Sequence, residues 1–498
     1  MNTMKKPMLS GYPLILSYLG IFGMLIGLII LFPLIVIPFY PEEVNQAIYF
    51  VIPGTSMIIL GGLITFLYSK KEKARLEKHH DAILVVGIWI MAIFASALPF
   101  ILTGQYNLTQ AVFETSSGYS TTGLTVVDVT VTPHVFLFFR SLLQFVGGAG
   151  LVLVLTAAIS DKFGMRIYSA EGHNDRLVPN LIRSGRVFIT IYLAYVFIGV
   201  ILYMIFGMTP FDAINHAIGA VATGGFSTQA ASIGHYNSIA IEMVTIFLMI
   251  AGGTNFFVHF LLVTGKVKSA LNHVEVKSFF LILFIAIPIS LISLIPYYDG
   301  SFGEAFRQGS FHFISALTGT GYQITPSFTN LPGAFFGLLI IGMVFGAGMG
   351  STCGGIKQYR IALGFKSIYW SIKEQLTHKN MIRKHFINRL GNKMIVDQQD
   401  VSQNYTFILV YLIALIAGTL IFASFNDRSF QDALFEYASA LGTVGLSVGI
   451  AGYNAHPVIL WTSTISMFLG RLEFYVVFIA FVKMAGDISK RIQLKKES

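Results

Sequence analysis

The chain has 498 residues, 54% of them hydrophobic and only 11% charged, with a mean hydropathy of +0.71. Soluble domains are about a quarter charged, so the composition excludes a soluble globular protein and indicates a polytopic membrane protein. The formal net charge of +9 is no nucleic-acid footprint: 29 of the 33 Lys and Arg lie before residue 14 or in 70–78, 162–186, 266–277, 357–393 and 483–498. Alternating spans put all these stretches on one side, the positive-inside pattern, with both termini cytoplasmic.

In chain order, spans of about 20 residues, enough to cross hydrocarbon, are predicted near 14–39, 50–69, 82–102, 135–160 and 187–207. Others follow near 239–264, 279–296, 334–364, 405–425 and 457–485. The first is too long for a signal-peptide core and is expected to be retained. The first two form a hairpin joined by Tyr40-Pro41-Glu42-Glu43. The other eight form four pairs, and each pair encloses an apolar run of 10 to 15 residues, such as 108–121 or 432–442, too short to span. Such a run is expected to be a re-entrant half-helix whose non-helical continuation lines a water-filled cavity. Asp212, Glu304 and Asp432 lie near three of these helix starts, where a capping role is expected.

Each half-helix leads into a related phrase: Ser120-Thr121-Thr122-Gly123-Leu-Thr, Ala222-Thr223-Gly224-Gly225-Phe-Ser, Thr318-Gly319-Thr320-Gly321-Tyr-Gln and Gly442-Thr443-Val444-Gly445-Leu-Ser. The second-half glycines are 102, 96 and 124 residues apart. Nine positions before them stand Glu114, His216, His312 and Glu436, polar every time. Ten positions before stand Phe113, Asn215, Phe311 and Phe435, and six before stand Ser117, Gly219, Ser315 and Ser439. Agreement at several offsets marks an internal repeat of whole membrane modules. Rings of backbone carbonyls replace an ion's hydration shell in cation filters, and glycine supplies the backbone angles that other residues resist. The expected fold is therefore an all-α polytopic membrane protein: four tandem helix–pore helix–helix modules with pseudo-four-fold symmetry plus an N-terminal two-helix hairpin. The boundaries drawn are 1–79 for the hairpin, 80–165, 166–266 and 267–365 for modules one to three, 366–404 for a basic connector and 405–498 for module four.

Two further features carry chemistry. Module three holds Phe345-Gly346-Ala-Gly348-Met-Gly350-Ser351-Thr352-Cys353-Gly354-Gly355-Ile-Lys357. Each glycine costs a helix about 1 kcal/mol relative to alanine, so a break in mid-membrane beneath the filter is expected; close packing of small residues is the alternative. Other modules have only Gly147-Gly148-Ala-Gly150, Gly252-Gly253 and Gly470, which makes module three the special one. Arg471, in Gly470-Arg-Leu-Glu473, is costly in an apolar span unless it faces protein or water. It reads either as an electrostatic barrier to cations or as half of a salt bridge; Glu473 is disfavoured as partner because residues two apart on a helix do not face each other. Arg140 reads as structural. In the connector, Ile368, Tyr369, Trp370 and Ile372 suit an amphipathic helix against anionic lipid or a soluble partner, or a solvated link. The single cysteine, Cys353, excludes an internal disulfide.

The four phrases, Gly350-Ser-Thr-Cys-Gly-Gly-Ile-Lys357 and Gly470-Arg-Leu-Glu473 resemble the Trk/Ktr/HKT superfamily of potassium transporters over nearly the whole chain, above all its bacterial TrkH branch. The resemblance implies potassium uptake across the bacterial cytoplasmic membrane, with K+ as cargo and no organic cofactor. It implies a filter formed by residues 121–123, 223–225, 319–321 and 443–445, and a gate formed by the module-three loop with Arg471. It further implies a homodimer bound to a cytoplasmic nucleotide-binding regulatory ring, with no nucleic-acid partner. Gly123 argues for potassium over sodium, and Gly319, where many relatives carry a side chain, marks a looser quadrant. A sodium-permeable or proton- or sodium-coupled symporter of the same fold is the alternative, although secondary transporters usually show inverted repeats. An intramembrane enzyme is disfavoured, because His216, His259, His312 and Cys353 form no HExxH or comparable spacing.

Overall fold

The computed structural model describes residues 11–68, 78–151, 181–376, 384–389 and 391–496. The N-terminal hairpin consists of α1 (Tyr12–Leu31), which tightens into 3-10 turns over Phe32–Phe39, and α2 (Ala47–Tyr68). They touch through glycines: side chains at Gly20, Gly27, Gly54 or Gly61 would strike the facing helix. This is how helices associate where lipid offers no hydrophobic drive.

Module one comprises α3 (His80–Leu102), the pore helix α4 (Leu108–Tyr119) and α5 (His134–Gly148). Module two comprises α6 (Leu181–Ile205), the pore helix α7 (Pro210–Val221), α8 (Ile239–Gly253) and α9 (Phe256–Val263). After the short α10 (Val267–Leu271), module three has α11 (Val274–Leu294), the pore helix α12 (Phe302–Thr318), α13 (Gly333–Phe345) and α14 (Gln358–Gln375). Module four has α15 (Gln398–Ser424), the pore helix α16 (Phe430–Leu441), α17 (Pro457–Leu472) and α18 (Phe474–Lys496). The span expected at 135–160 is described only to Leu151, and the boundary at 165 lies outside the described residues.

The modules close a ring. In each, the helix that follows the pore helix packs against the next module's pore helix: α5 on α7, α8 on α12, α13 on α16, and α17 back on α4. That cyclic pattern is the pseudo-four-fold symmetry expected from the repeat.

Three expectations need correction. Module three is not alone in breaking its helix: α8 and α9 are bent by 103°, and α17 and α18 by 101°. The reason is local. Gly252 and Gly253 lend their carbonyls to module three rather than continuing the helix, while Glu473, with φ 63° and ψ 142°, leaves the helical conformation between α17 and α18. The short glycine groups thus have their own work: a side chain at Gly147, Gly252 or Gly470 would overlap the terminal carbonyl of its own module's pore helix. Second, the N-caps of the pore helices are Asn107, Thr209, Ser301 and Ser429, each accepting a backbone N–H at the third helical position. Asp212, Glu304 and Asp432 occupy that third position and favour the positive helix end without capping it. Third, the connector contains an antiparallel hairpin, β1 (His385–Arg389) with β2 (Asn392–Val396), that periodicity did not reveal. Trp370 of α14 stacks on His385 of that hairpin, ring centroids 4.5 Å apart.

Candidate functional site: a four-quadrant ring over an inserted loop

At the end of each pore helix the chain turns through one left-handed residue and runs on without helical structure. That residue is Thr121 (φ 56°), Thr223 (φ 49°), Gly319 (φ 68°) or Thr443 (φ 52°). Two residues later Gly123, Gly225, Gly321 and Gly445 all have positive φ, between 72° and 100°. Positive φ alone favours glycine, and a second constraint closes the case. A Cβ on Gly123 would overlap the Gly224 carbonyl, one on Gly225 the Thr320 carbonyl, one on Gly321 the Val444 carbonyl, and one on Gly445 the Thr122 carbonyl. The four strands therefore meet backbone to backbone around a closed ring.

The repeated offsets noted in the sequence are the scaffold of this ring. Glu114 accepts the Val126 N–H at 2.9 Å, Glu436 accepts the Val448 N–H at 2.7 Å and His312 Nε2 accepts the Ile324 N–H at 3.1 Å. His216 Nε2 lies 2.9 Å from the Ser227 hydroxyl. Six positions before the glycine, Ser117 and Ser439 accept the N–H of Gly123 and Gly445 at 3.0 and 2.9 Å, while Ser315 donates to the Tyr322 carbonyl at 2.7 Å. Module two has Gly219 there instead, and the Tyr322 hydroxyl of module three enters that space, donating to the His216 and Phe226 carbonyls. Buried backbone polar groups need partners, and these side chains hold an extended strand that no sheet supports. Arg140 is structural, as expected: its Nε is 2.7 Å from Glu114 and its guanidinium stacks on Phe226.

The glycine-rich stretch of module three forms an inserted loop between α13 and α14. Its neck is tied by Ile356 N–H to Val344 O (3.0 Å), Lys357 N–H to Phe345 O (2.9 Å) and Gln358 N–H to Ala347 O (2.8 Å). Gly346, Gly355 and Lys357 supply the positive-φ corners. Its body rests on the break of module two: Gly348 N–H donates to Gly253 O at 2.9 Å, and Phe256 N–H donates to Gly350 O at 3.0 Å. Buried Glu275 completes the seam, accepting Met349 N–H at 3.2 Å and Asn255 Nδ2 at 3.0 Å.

The crown of the loop meets the left-handed residues of all four quadrants. The Thr352 hydroxyl is 2.8 Å from the Thr223 hydroxyl, and Thr121 donates to the Thr352 carbonyl at 3.3 Å. Gly354 packs against Thr443. At the third quadrant the missing side chain of Gly319 leaves room for Cys353, whose Sγ would stand 2.7 Å from any Cβ placed there. That corrects the expectation of a loose quadrant: the space is filled by the loop. Arg471 donates to the Thr352 carbonyl and to the Gly147 and Gly148 carbonyls, joining module four to the loop and to the end of α5. Glu473 turns to the far end of the loop, 3.5 Å from Lys357 Nζ and 2.7 Å from Arg360 Nη2. Sequence reasoning missed this Lys357–Glu473–Arg360 cluster, because Arg360 and Glu473 lie more than a hundred residues apart.

The sequence-expected residues 121–123, 223–225, 319–321 and 443–445 are thus brought together, with 346–357 and Arg471 beside them. The TrkH family, cation transport protein, matches over residues 46–492. The chain belongs to that family. A cation transporter of Methanocaldococcus jannaschii, described as uncharacterized, is 30% identical over 94% of this chain and 95% of the relative. The Trk system potassium uptake protein TrkG of Escherichia coli is 30% identical over 93% of this chain and 96% of its own. The crystal structure of the potassium transporter TrkH from Vibrio parahaemolyticus superposes with a TM-score of 0.82 at 25% identity, covering 95% of this chain and 98% of that one. Membership makes this a multi-pass membrane transport protein rather than an enzyme.

Proposed function

We propose that the chain carries K+ through the four-quadrant ring, with residues 121–123, 223–225, 319–321 and 443–445 presenting carbonyls to the ion. The observation that supports this most is the cyclic backbone contact of Gly123, Gly225, Gly321 and Gly445 with the neighbouring strand's carbonyl. Carbonyl rings exchange for hydration water, and the carbonyl ends of the four pore helices add a negative field there. The relatives' names as potassium uptake proteins support K+ as the cargo.

The loop 346–357 and Arg471 form the gate in this reading. The loop crown touches all four quadrants, and a guanidinium bonded to its Thr352 carbonyl repels a cation leaving the ring. The state described is the closed one. Opening requires the loop to leave Gly253, Glu275 and Thr223, and a partner bound on the basic face, as a nucleotide-binding ring of the family's regulatory kind would be, can bias that equilibrium. A homodimer in the bacterial cytoplasmic membrane, termini inside, completes the proposal; the membrane potential then draws K+ inward at about 2.3 kcal/mol per charge per 100 mV. Rubidium uptake in potassium-uptake-deficient cells tests it, and uptake no greater than that of the empty vector would refute it.

A further inference from the structure

A cavity of about 280 Å³ lies where α8 breaks into α9, walled by α11 and by the inserted loop. Its lining is largely apolar, and it includes Gly348 in the body of the loop and Gln358, the first residue of α14 at the loop's neck. Several of its lining residues are also broadly exposed on the outside of the protein: Phe247, Leu262, Leu271 and Phe280. In a membrane-spanning protein such a mouth opens to hydrocarbon. Most polar groups inside are engaged: Glu275 holds Asn255 and Met349, His259 lies within hydrogen-bond distance of the Tyr195 hydroxyl and the Ala251 carbonyl, and Gln358 Nε2 donates to the Gly346 carbonyl, its Oε1 alone being buried without a partner among the described residues.

The surroundings say which apolar ligand fits. With α8 crossing the bilayer, the 103° bend turns the apolar α9 toward the membrane plane. Next to it, α10 contributes Ala270 and Leu271 to the cavity and carries Lys268, with Lys266 just before it and Lys277 on the following helix. All three lysines are exposed, while Glu275, the acid among them in sequence, is buried in the loop seam. Exposed apolar Val263 and Val267 alternate with these cations. Basic residues at the interface attract anionic head groups.

We propose that this cavity takes an acyl chain of an anionic phospholipid whose head group lies on Lys266 and Lys268. Because the cavity wall includes Gly348 of the loop and Gln358 at its neck, a chain bound there favours the loop-inserted state by its greater affinity for it; this second half rests on the gate reading above.

Phe280→Trp places a fluorophore at the mouth, to be reconstituted with lipids brominated on the acyl chain; the unsubstituted protein supplies the background of its three tryptophans. The expected result is stronger quenching by brominated phosphatidylglycerol than by brominated phosphatidylcholine at equal mole fraction, and equal quenching once Lys266 and Lys268 are both Gln. Equal quenching by both lipids before the lysine change, or none by either because a second copy of the chain covers the mouth, overturns the site. Rubidium flux in the same liposomes reads the coupling: basal flux should fall severalfold as phosphatidylglycerol rises. Selective quenching with flux indifferent to lipid would retain the site and overturn its link to the gate, whereas absence of all flux would count against the transport reading alone.

Discussion

Three quadrants of the ring nearest the pore-helix ends place a threonine at the left-handed turn, and the third places Gly319 there. Thr121 and Thr223 use their hydroxyls to hold Thr352 of the inserted loop. Thr443 packs on Gly354, yet its hydroxyl is buried without a hydrogen-bond partner among the described residues. Gly319 offers only space, and Cys353 fills it. A symmetric backbone thus carries an asymmetric set of contacts: two quadrants bond the loop, one receives it and one merely abuts it. In the proposed filter, selection of an ion rests on the symmetry, whereas seating a single loop rests on its breaking.

The largest effect should come from attacking the symmetric part. Gly321→Ala drives a methyl into the Val444 carbonyl at a φ of 80°. Rubidium uptake should fall by about two orders of magnitude, the equivalent of roughly 3 kcal/mol, with the protein still found in the membrane; near-normal uptake would mean that the ring does not conduct. Next comes the barrier. Arg471→Ala, or deletion within 347–354, should raise basal flux in liposomes by about tenfold, a change of roughly 1.4 kcal/mol; unaltered or reduced conductance would argue against a gate.

The asymmetric part is tested by exchanging it. Gly319→Thr gives the third quadrant the side chain of the others and meets Cys353, so the loop should seat poorly and basal flux should rise severalfold. Adding Cys353→Gly should restore low flux, because the volume has only changed sides; failure of the double variant to recover would show that Gly319 is needed for another reason. Gly123→Ser, which would press on the Gly224 carbonyl, should lower the potassium-to-sodium permeability ratio while leaving flux measurable, and an unchanged ratio would weaken the filter assignment. The smallest contrast is between two hydroxyls. Thr443→Val removes an unpartnered group and should leave basal flux unchanged, whereas Thr223→Val loses the bond to Thr352 and should raise it modestly, since a net hydrogen bond is worth about 1 kcal/mol. Equal behaviour of the two would erase the distinction drawn between their quadrants.

Much of this was legible from residues alone. Four copies of one phrase between a short and a long apolar run mark out the modules, and the polar positions nine residues upstream mark the repeat without showing that they hold the extended strands. What stayed hidden was interaction between modules. Gly252-Gly253 reads only as a short glycine group, and the fold shows that its carbonyls are claimed by Gly348 and Thr352. The Lys357–Glu473 pair joins residues far apart in sequence. Gly319 read as looseness because a missing side chain is visible in a sequence and the neighbour that fills it is not.

The central claim is that the loop crown, seated against the ring, keeps the path shut. Cys353 is the only cysteine and is buried, so its reaction with a small water-soluble thiol reagent reports the loop without background. Measured in liposomes alongside rubidium flux, the native protein should react slowly and conduct little, and Arg471→Ala should react faster in proportion to its raised flux. Raised flux with Cys353 still protected, or a reactive Cys353 in a non-conducting protein, would contradict the account.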